Sequence, residues 1–363
     1  MQGSEGSTQK AAPAAIPDRL TAHTADTTPG SNCERTAAGK TAPPPAVHTE
    51  RLTKIYGQRL IAVNDMSLDV PAGSVFGLLG PNGAGKTTTL RLLLGLQRPT
   101  AGRAEVFGMT CGPNAVAVRA RIGYLPTNPR LPGHLRPIEY LDLLGKLCRL
   151  PHHIRKPRIS SLLRAVGLLS ATGQPIRTFS TGMCTRLGIA ASLVADPPLL
   201  IWDEPTAGLD PAARRFTLDL IRELAATKTV IIATHILSDI DQICDHLGVM
   251  HEGRMIYTGS MQDLKRRLGQ DEFSLELKGE VRTVEFCAQE AAKGAGVATR
   301  VENGRVLHVR IADDHRRSAV LAEILKLLDD NHLLLEAVHS GRNTTENAYL
   351  QLLQEDQAHG FDR

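Results

Sequence analysis

The sequence predicts an α/β fold: a parallel-sheet core, an antiparallel β block before it, a mostly helical insert and a small C-terminal α/β domain. Three observations lead there. Val75–Leu79 is an uninterrupted apolar run of the kind found in strands buried on both faces, and similar runs recur at Leu199–Trp202 and Thr229–Ala233. Helical patterns lie between these runs, and strands alternating with helices imply parallel pairing. From Val47 the pattern is instead period two, with Met66, Leu68 and Val70 alternating with Ser67 and Asp69 before a Pro71-Ala72-Gly73 turn.

A chain of 363 residues has room for one full domain and a smaller unit. Residues 1–46 are rich in Thr, Ala, Pro and Gly and end in three prolines, the composition of a disordered arm. The arm lacks the continuous apolar stretch of a signal peptide. The first domain is expected over residues 47–265 and a small α/β accessory domain over 271–363. Within the former, Pro137 suits a first helical turn, and Ile138, Leu141 and Leu144 follow at helical spacing. Leu162, Leu163 and Val166 repeat the pattern, so the helical insert is placed at about 135–196. After residue 270, Phe273, Leu275 and Leu277 alternate, Asn303-Gly304 turns the chain between two strand-like runs, and an apolar helix from about Ser318 to Leu328 precedes a strand at Leu333–Val338.

Composition excludes several classes. Apolar residues make up 42% and charged residues 22%, too polar for a chain of membrane spans, and the most apolar window is broken by Asp196, Pro197 and Pro198. The net charge of +4 is scattered apart from Lys265–Arg267, so nucleic acid is not an expected partner. The six cysteines show no metal-ligand spacing and no disulfide framework.

The chemistry starts at Gly80-Pro81-Asn82-Gly83-Ala84-Gly85-Lys86-Thr87, with Thr88 following. This matches G-x-x-x-x-G-K-[ST] and stands directly after a buried strand and before a helical run, Thr88–Leu96. Glycines let backbone N–H groups converge on phosphate oxygens, and the helix N-terminus adds positive potential. Lys86 is placed to reach the β and γ phosphates of ATP and Thr87 to ligate Mg²⁺. The second constellation is Asp203-Glu204 at the end of an apolar strand, the end at which open α/β sheets bind ligands. Asp203 suits Mg²⁺. Glu204, on the opposite side of an extended chain, is the candidate to polarise an attacking water. Alone, two acids after a strand read more readily as a helix cap or a solvated turn, and the pairing with the phosphate loop reverses that balance.

Together these motifs resemble the nucleotide-binding subunits of ATP-binding cassette (ABC) transporters, proteins of the P-loop NTPase fold, over about residues 47–265. Phe179-Ser180-Thr181-Gly182-Met183 resembles the family's signature, and Gly208-Leu209-Asp210-Pro211 its D-loop. His235 matches the switch histidine, and Tyr56 the aromatic that stacks on adenine. The resemblance implies ATP hydrolysis with Mg²⁺ and an ATP-dependent homodimer, in which Ser180 and Gly182 of one copy close over nucleotide held by the other. It also implies a separately encoded integral-membrane permease, which would hold the chain at the cytoplasmic face of the membrane. A single cassette followed by a small domain with Thr344-Thr345-Glu346-Asn347-Ala348-Tyr349-Leu350 is similar to subunits that export drugs, antibiotics or sodium. Two other roles remain open: a soluble cassette ATPase acting on nucleic acid or ribosomes, and a low-turnover nucleotide-dependent regulator. The chain departs from the family at Thr127, where Gln or Glu is usual, and at Thr181 and Cys184 of the signature. A hydroxyl is about two bonds shorter than a glutamine amide, so Thr127 is expected to fall short of the metal.

Overall fold

The computed structural model describes residues 44–57, 59–268, 271–293, 297–311, 317–341, 349–350 and 352–356. Most of the N-terminal arm and residues 344–348 of the C-terminal motif lie outside them. The chain divides into two compact units between Thr258 and Gly259.

The first unit opens with β1 (Val47–Tyr56), β2 (Leu60–Val70), β3 (Val75–Leu79), α1 (Lys86–Leu93), β4 (Ala101–Val106), β5 (Met109–Thr110), α2 (Val116–Arg119) and β6 (Ile122–Leu125). Helices α3 (Pro137–Leu147), α4 (His152–Ala165) and α5 (Thr181–Leu193) form the insert. Then follow β7 (Leu199–Asp203), α6 (Pro211–Ala225), β8 (Thr229–Thr234), α7 (Leu237–Ile243), β9 (His246–His251) and β10 (Arg254–Ser260).

These strands form two sheets. One is four-stranded, in the order β2-β1-β4-β5, and its registered β1–β2, β1–β4 and β4–β5 pairs are antiparallel. In β2 the predicted alternation holds: Met66, Leu68 and Val70 are buried, and Ser67 and Asp69 are exposed. The second has the order β10-β9-β3-β8-β7-β6, with β9, β3, β8, β7 and β6 parallel. Every residue of β3, β7 and β8 is buried, as continuous apolar runs require when both faces of a sheet are covered. One core joins the two sheets: Val47, Leu52 and Val63 from the first pack with Leu78, Leu199 and Ile231 from the second and with Leu90 and Leu93 of α1.

The insert shows why periodicity alone is incomplete. Leu141, Leu162, Leu163 and Val166 are buried as their spacing predicts. Ile138, on the same predicted stripe as Leu141, is instead 48% exposed, and Leu143 and Leu147 of α3 are exposed with it. A sequence pattern marks apolar positions on a helix but does not say which of them the fold will cover.

The only tryptophan of the chain, Trp202 on β7, is fully buried, and its indole N–H donates to Ser192 Oγ at 3.2 Å. Ser192→Ala strands that N–H, a loss of about 1–3 kcal/mol. Urea unfolding followed by tryptophan emission should show the lower midpoint.

The second unit contains α8 (Met261–Leu268), β11 (Asp271–Lys278), α9 (Val281–Ala292), β12 (Val297–Glu302), β13 (Val306–Ile311), α10 (Arg317–Asp330) and β14 (Leu334–Gly341). Its sheet order is β12-β13-β11-β14, and all pairs are antiparallel. From β11 onward this is the β-α-β-β-α-β arrangement. Phe273, Leu275 and Leu277 pack against Val284 and Cys287 of α9 and Ile324 of α10. Helix α9 escapes the sequence reading because its buried face is made of small residues, Cys287 and Ala288 beside Val284, which give a weak apolar signal.

Candidate functional site

The parallel order places β3 and β7 on either side of β8, so the loops leaving their C-terminal ends open onto one place. The segment after β3 carries Gly80–Thr87, the turn after β7 carries Glu204, and the residue after β8 is His235. Three stretches far apart in sequence therefore meet at one sheet edge, as ligand sites in open α/β sheets do.

Helix α1 starts at Lys86, two residues ahead of its sequence-predicted start, and Gly85 is its N-cap with φ +103°. A side chain there is doubly barred: the conformation is left-handed, and a Cβ would lie 2.2 Å from the Ala62 carbonyl oxygen. At Gly80 a Cβ would meet the Met250 carbonyl at 2.4 Å. The glycines thus let the loop run against β2 and β9, leaving its other side on an open cleft of about 470 Å³. That cleft is lined by Tyr56, Leu60, Ile61, Ala62, Pro81 to Thr88, Thr127 and Glu204.

Lys86 is buried, and its Nζ donates to the carbonyls of Gly80 at 2.7 Å and Pro81 at 3.2 Å and lies 3.6 Å from Glu204 Oε1. Burial lowers the ammonium pKa, while the charges of Glu204 and Asp203 hold it up. Thr87 Oγ1 donates to Asp203 Oδ2 at 2.8 Å. The other oxygen, Asp203 Oδ1, is buried and has no hydrogen-bond partner. Burial raises the Asp203 pKa, opposed by the Thr87 hydroxyl.

Glu204 is reached differently from the sequence expectation. It does not continue the extended chain: β7 ends at Asp203, and Glu204 has φ +52°. Its backbone N–H donates to the Ala233 carbonyl at 2.8 Å, which pins the turn to β8. The carboxylate is aimed by that left-handed turn, and it meets His235 Nδ1 at 2.9 Å and Thr234 Oγ1 at 3.3 Å. Left-handed geometry at a non-glycine residue costs on the order of 1–3 kcal/mol and concentrates at functional sites.

Thr127 lines the same cleft, and its hydroxyl donates to the Asp203 carbonyl at 3.3 Å. Asn128 beside it has φ +52°. Tyr56 also lines the cleft; its hydroxyl donates to Gln97 Oε1, and Lys54 Nζ sits 5.2 Å from the ring centroid. Gln97 and Lys54 carry no sequence motif, and only the packing reveals them.

Ser180, Gly182 and Asp210 are not among the residues lining the cleft. Ser180 caps α5, accepting from Met183 N at 3.3 Å, and Asp210 caps α6, accepting from Ala213 N at 2.8 Å. Gly182 faces Ala213 and Leu209, so the two caps are neighbours.

A glycine loop running into a helix, with a buried lysine and a strand-end carboxylate pair around it, defines a nucleoside-triphosphate-hydrolysing protein of the P-loop class. Residues 63–207 match the ABC transporter family model. The chain is 36% identical over 314 residues to the daunorubicin/doxorubicin resistance ATP-binding protein DrrA of Streptomyces peucetius, covering 86% of this chain and 93% of that one. It is 40% identical over 223 residues to the bacitracin transport ATP-binding protein BcrA of Bacillus licheniformis, covering 61% and 72%. Among solved structures, the ATP-binding subunit of an ABC transporter aligns with TM-score 0.57 and 30% identity, over 62% of this chain and 93% of that one. The chain belongs to the ABC transporter family: it is an ATP-binding protein of that family and an ATPase.

Proposed function

We propose that this chain is the subunit that energises a separate membrane permease, exporting a drug, an antibiotic or another small molecule. The observation that carries the ATPase half of this reading is the contact of Lys86, Glu204 and His235, which arrive from β3, β7 and β8. In it, the backbone N–H groups of Gly80 to Thr88 and the Lys86 ammonium hold the phosphates of ATP. Tyr56 stacks on the base, Glu204 polarises water and His235 orients Glu204. Thr87 and Asp203 fit Mg²⁺: both offer hard oxygen donors, and the buried Asp203 Oδ1 otherwise lacks a partner. When bound, the ion would neutralise charge that develops on the phosphates.

The neighbouring caps at Ser180 and Asp210, outside the cleft of their own chain, support closure over the nucleotide of a second copy. A loop and an acid pair grip one side of ATP, and hydrolysis gains from donors and water exclusion on the other. The permease reading rests on the likeness to DrrA and BcrA and on the exposed apolar side chains of α3, Ile138, Leu143 and Leu147. Among the described residues no helix is long and apolar enough to cross a membrane. The permease would therefore hold the chain at the inner face of the cell membrane.

The test is to co-purify the chain with a polytopic membrane protein encoded beside its gene. ATP turnover should rise on assembly, and cells making both should accumulate less of the exported compound. Turnover indifferent to every such membrane protein, with unchanged accumulation, would overturn the export role.

A further inference from the structure

Asp239 lies in the first turn of α7, beyond His235, and belongs to none of the motifs above. It is 1% exposed, as a carboxylate almost never is without partners. Both of its oxygens are engaged. Oδ2 accepts from the hydroxyl of Thr206, itself 2% exposed, in the turn that follows Glu204. Oδ1 accepts from Arg214 Nε at 2.7 Å and also lies 2.7 Å from Arg214 Nη2. The guanidinium donates further to Ser238 Oγ at 2.6 Å. Arg214 stands in the first turn of α6, where its backbone N–H donates to the Asp210 carbonyl at 2.9 Å.

One buried carboxylate thus ties together the turn after Glu204, the helix started by Asp210 and the helix that follows His235. The sheet does not do this, because its hydrogen bonds end at Asp203 on β7 and at Thr234 on β8. Beyond those points Glu204 sits in a left-handed conformation, with one backbone hydrogen bond to the sheet, from its N–H to the Ala233 carbonyl, and one within its own turn, from the Ala207 N–H to its carbonyl, so the Glu204–His235 contact depends on where two irregular turns lie. Small displacements of a group near reacting atoms are expensive in rate, on the order of 100-fold per ångström.

We propose that Asp239 is a positioning residue for ATP hydrolysis: through Thr206 and Arg214 it holds the turn of Glu204 and the turn of His235 in mutual register. It touches no substrate, and it acts on turnover and not on nucleotide affinity, because the Gly80–Thr87 loop lies outside its contacts. The inference rests on the reading of Glu204 as the residue that polarises water.

The experiment compares the full chain carrying Asp239→Asn, Thr206→Val or Thr206→Ser with the parent and with Glu204→Gln. Basal ATPase rate constants and the affinity for a fluorescent ATP analogue are measured on each. Asp239→Asn should lower kcat by about 10- to 100-fold with the analogue affinity within about twofold. Thr206→Val should lose kcat in the same direction and Thr206→Ser should restore it, since serine keeps the hydroxyl. The double variant Asp239→Asn/Thr206→Val should be no slower than Asp239→Asn alone, because both break one link. Equal loss of kcat and affinity, or unchanged kcat in both Asp239→Asn and Thr206→Val, would overturn the proposal. If Asp239→Asn does not fold, the Thr206 pair decides alone: Val and Ser turning over equally overturns it. Glu204→Gln separates the two claims, since normal turnover there removes the reading of Glu204, whereas lost turnover there with normal turnover in the Asp239 and Thr206 variants removes only this one.

Discussion

Replacing Glu204 by Gln lowers ATP hydrolysis by about 10²- to 10⁴-fold, the range that a positioned general base contributes. The amide matches the carboxylate in shape, so the turn at φ +52°, its hydrogen bond to the Ala233 carbonyl and the contact with His235 all remain available. What is lost is the proton acceptor. Nucleotide stays bound, because the Gly80–Thr87 loop is unchanged. The charge facing Lys86 at 3.6 Å also disappears, which frees the ammonium for phosphate. Under the two-copy reading, ATP then accumulates in a closed dimer. Phosphate release and light scattering with saturating ATP and Mg²⁺ check both halves: undiminished phosphate release removes Glu204 from the chemistry, and a monomer under saturation removes the dimer.

Lys86→Ala acts one step earlier and abolishes binding. The ammonium is buried beside the loop carbonyls, and its lowered pKa reflects that burial, offset by Glu204 and Asp203. A desolvated cation facing phosphate oxygens has few waters to compete with it. Truncating one member of such a buried charge pair costs about 2–5 kcal/mol, an affinity loss of at least about 30-fold. Fluorescence polarisation of a labelled ATP analogue measures it. Affinity within threefold of the parent would mean that the lysine holds the loop together through the Gly80 and Pro81 carbonyls instead of holding phosphate.

The two substitutions also separate what was legible in the sequence. Lys86 was visible because its whole context is local: a buried strand, a glycine loop, a lysine, a hydroxyl and a helix follow one another in a few residues. The strands of the second unit were legible for the same reason, since alternation at Phe273, Leu275 and Leu277 reports a half-buried strand without any knowledge of its partner. Glu204 was visible as a residue type at a strand end but not as a geometry. An extended chain would send it opposite to Asp203, whereas a left-handed turn, fixed by a carbonyl on the neighbouring strand, directs it to His235. Thr127 reads from sequence as a residue too short for its task. In the fold its hydroxyl closes on the Asp203 carbonyl, a contact from the segment after β6 to the last residue of β7 that sequence distance conceals.

The sequence by itself determined the class of chemistry and the strand-helix alternation, because loop composition, apolar runs and periodicity are properties of contiguous residues. Only the tertiary structure decided which segments meet. Strand β8 lies between β3 and β7 although it follows both in the chain, and Asp239 reaches Thr206 and Arg214 across two helices and a turn. The physical reason is that pairing between distant strands, and the burial of a carboxylate among distant partners, are set by how whole elements pack. No local pattern in the chain encodes that choice.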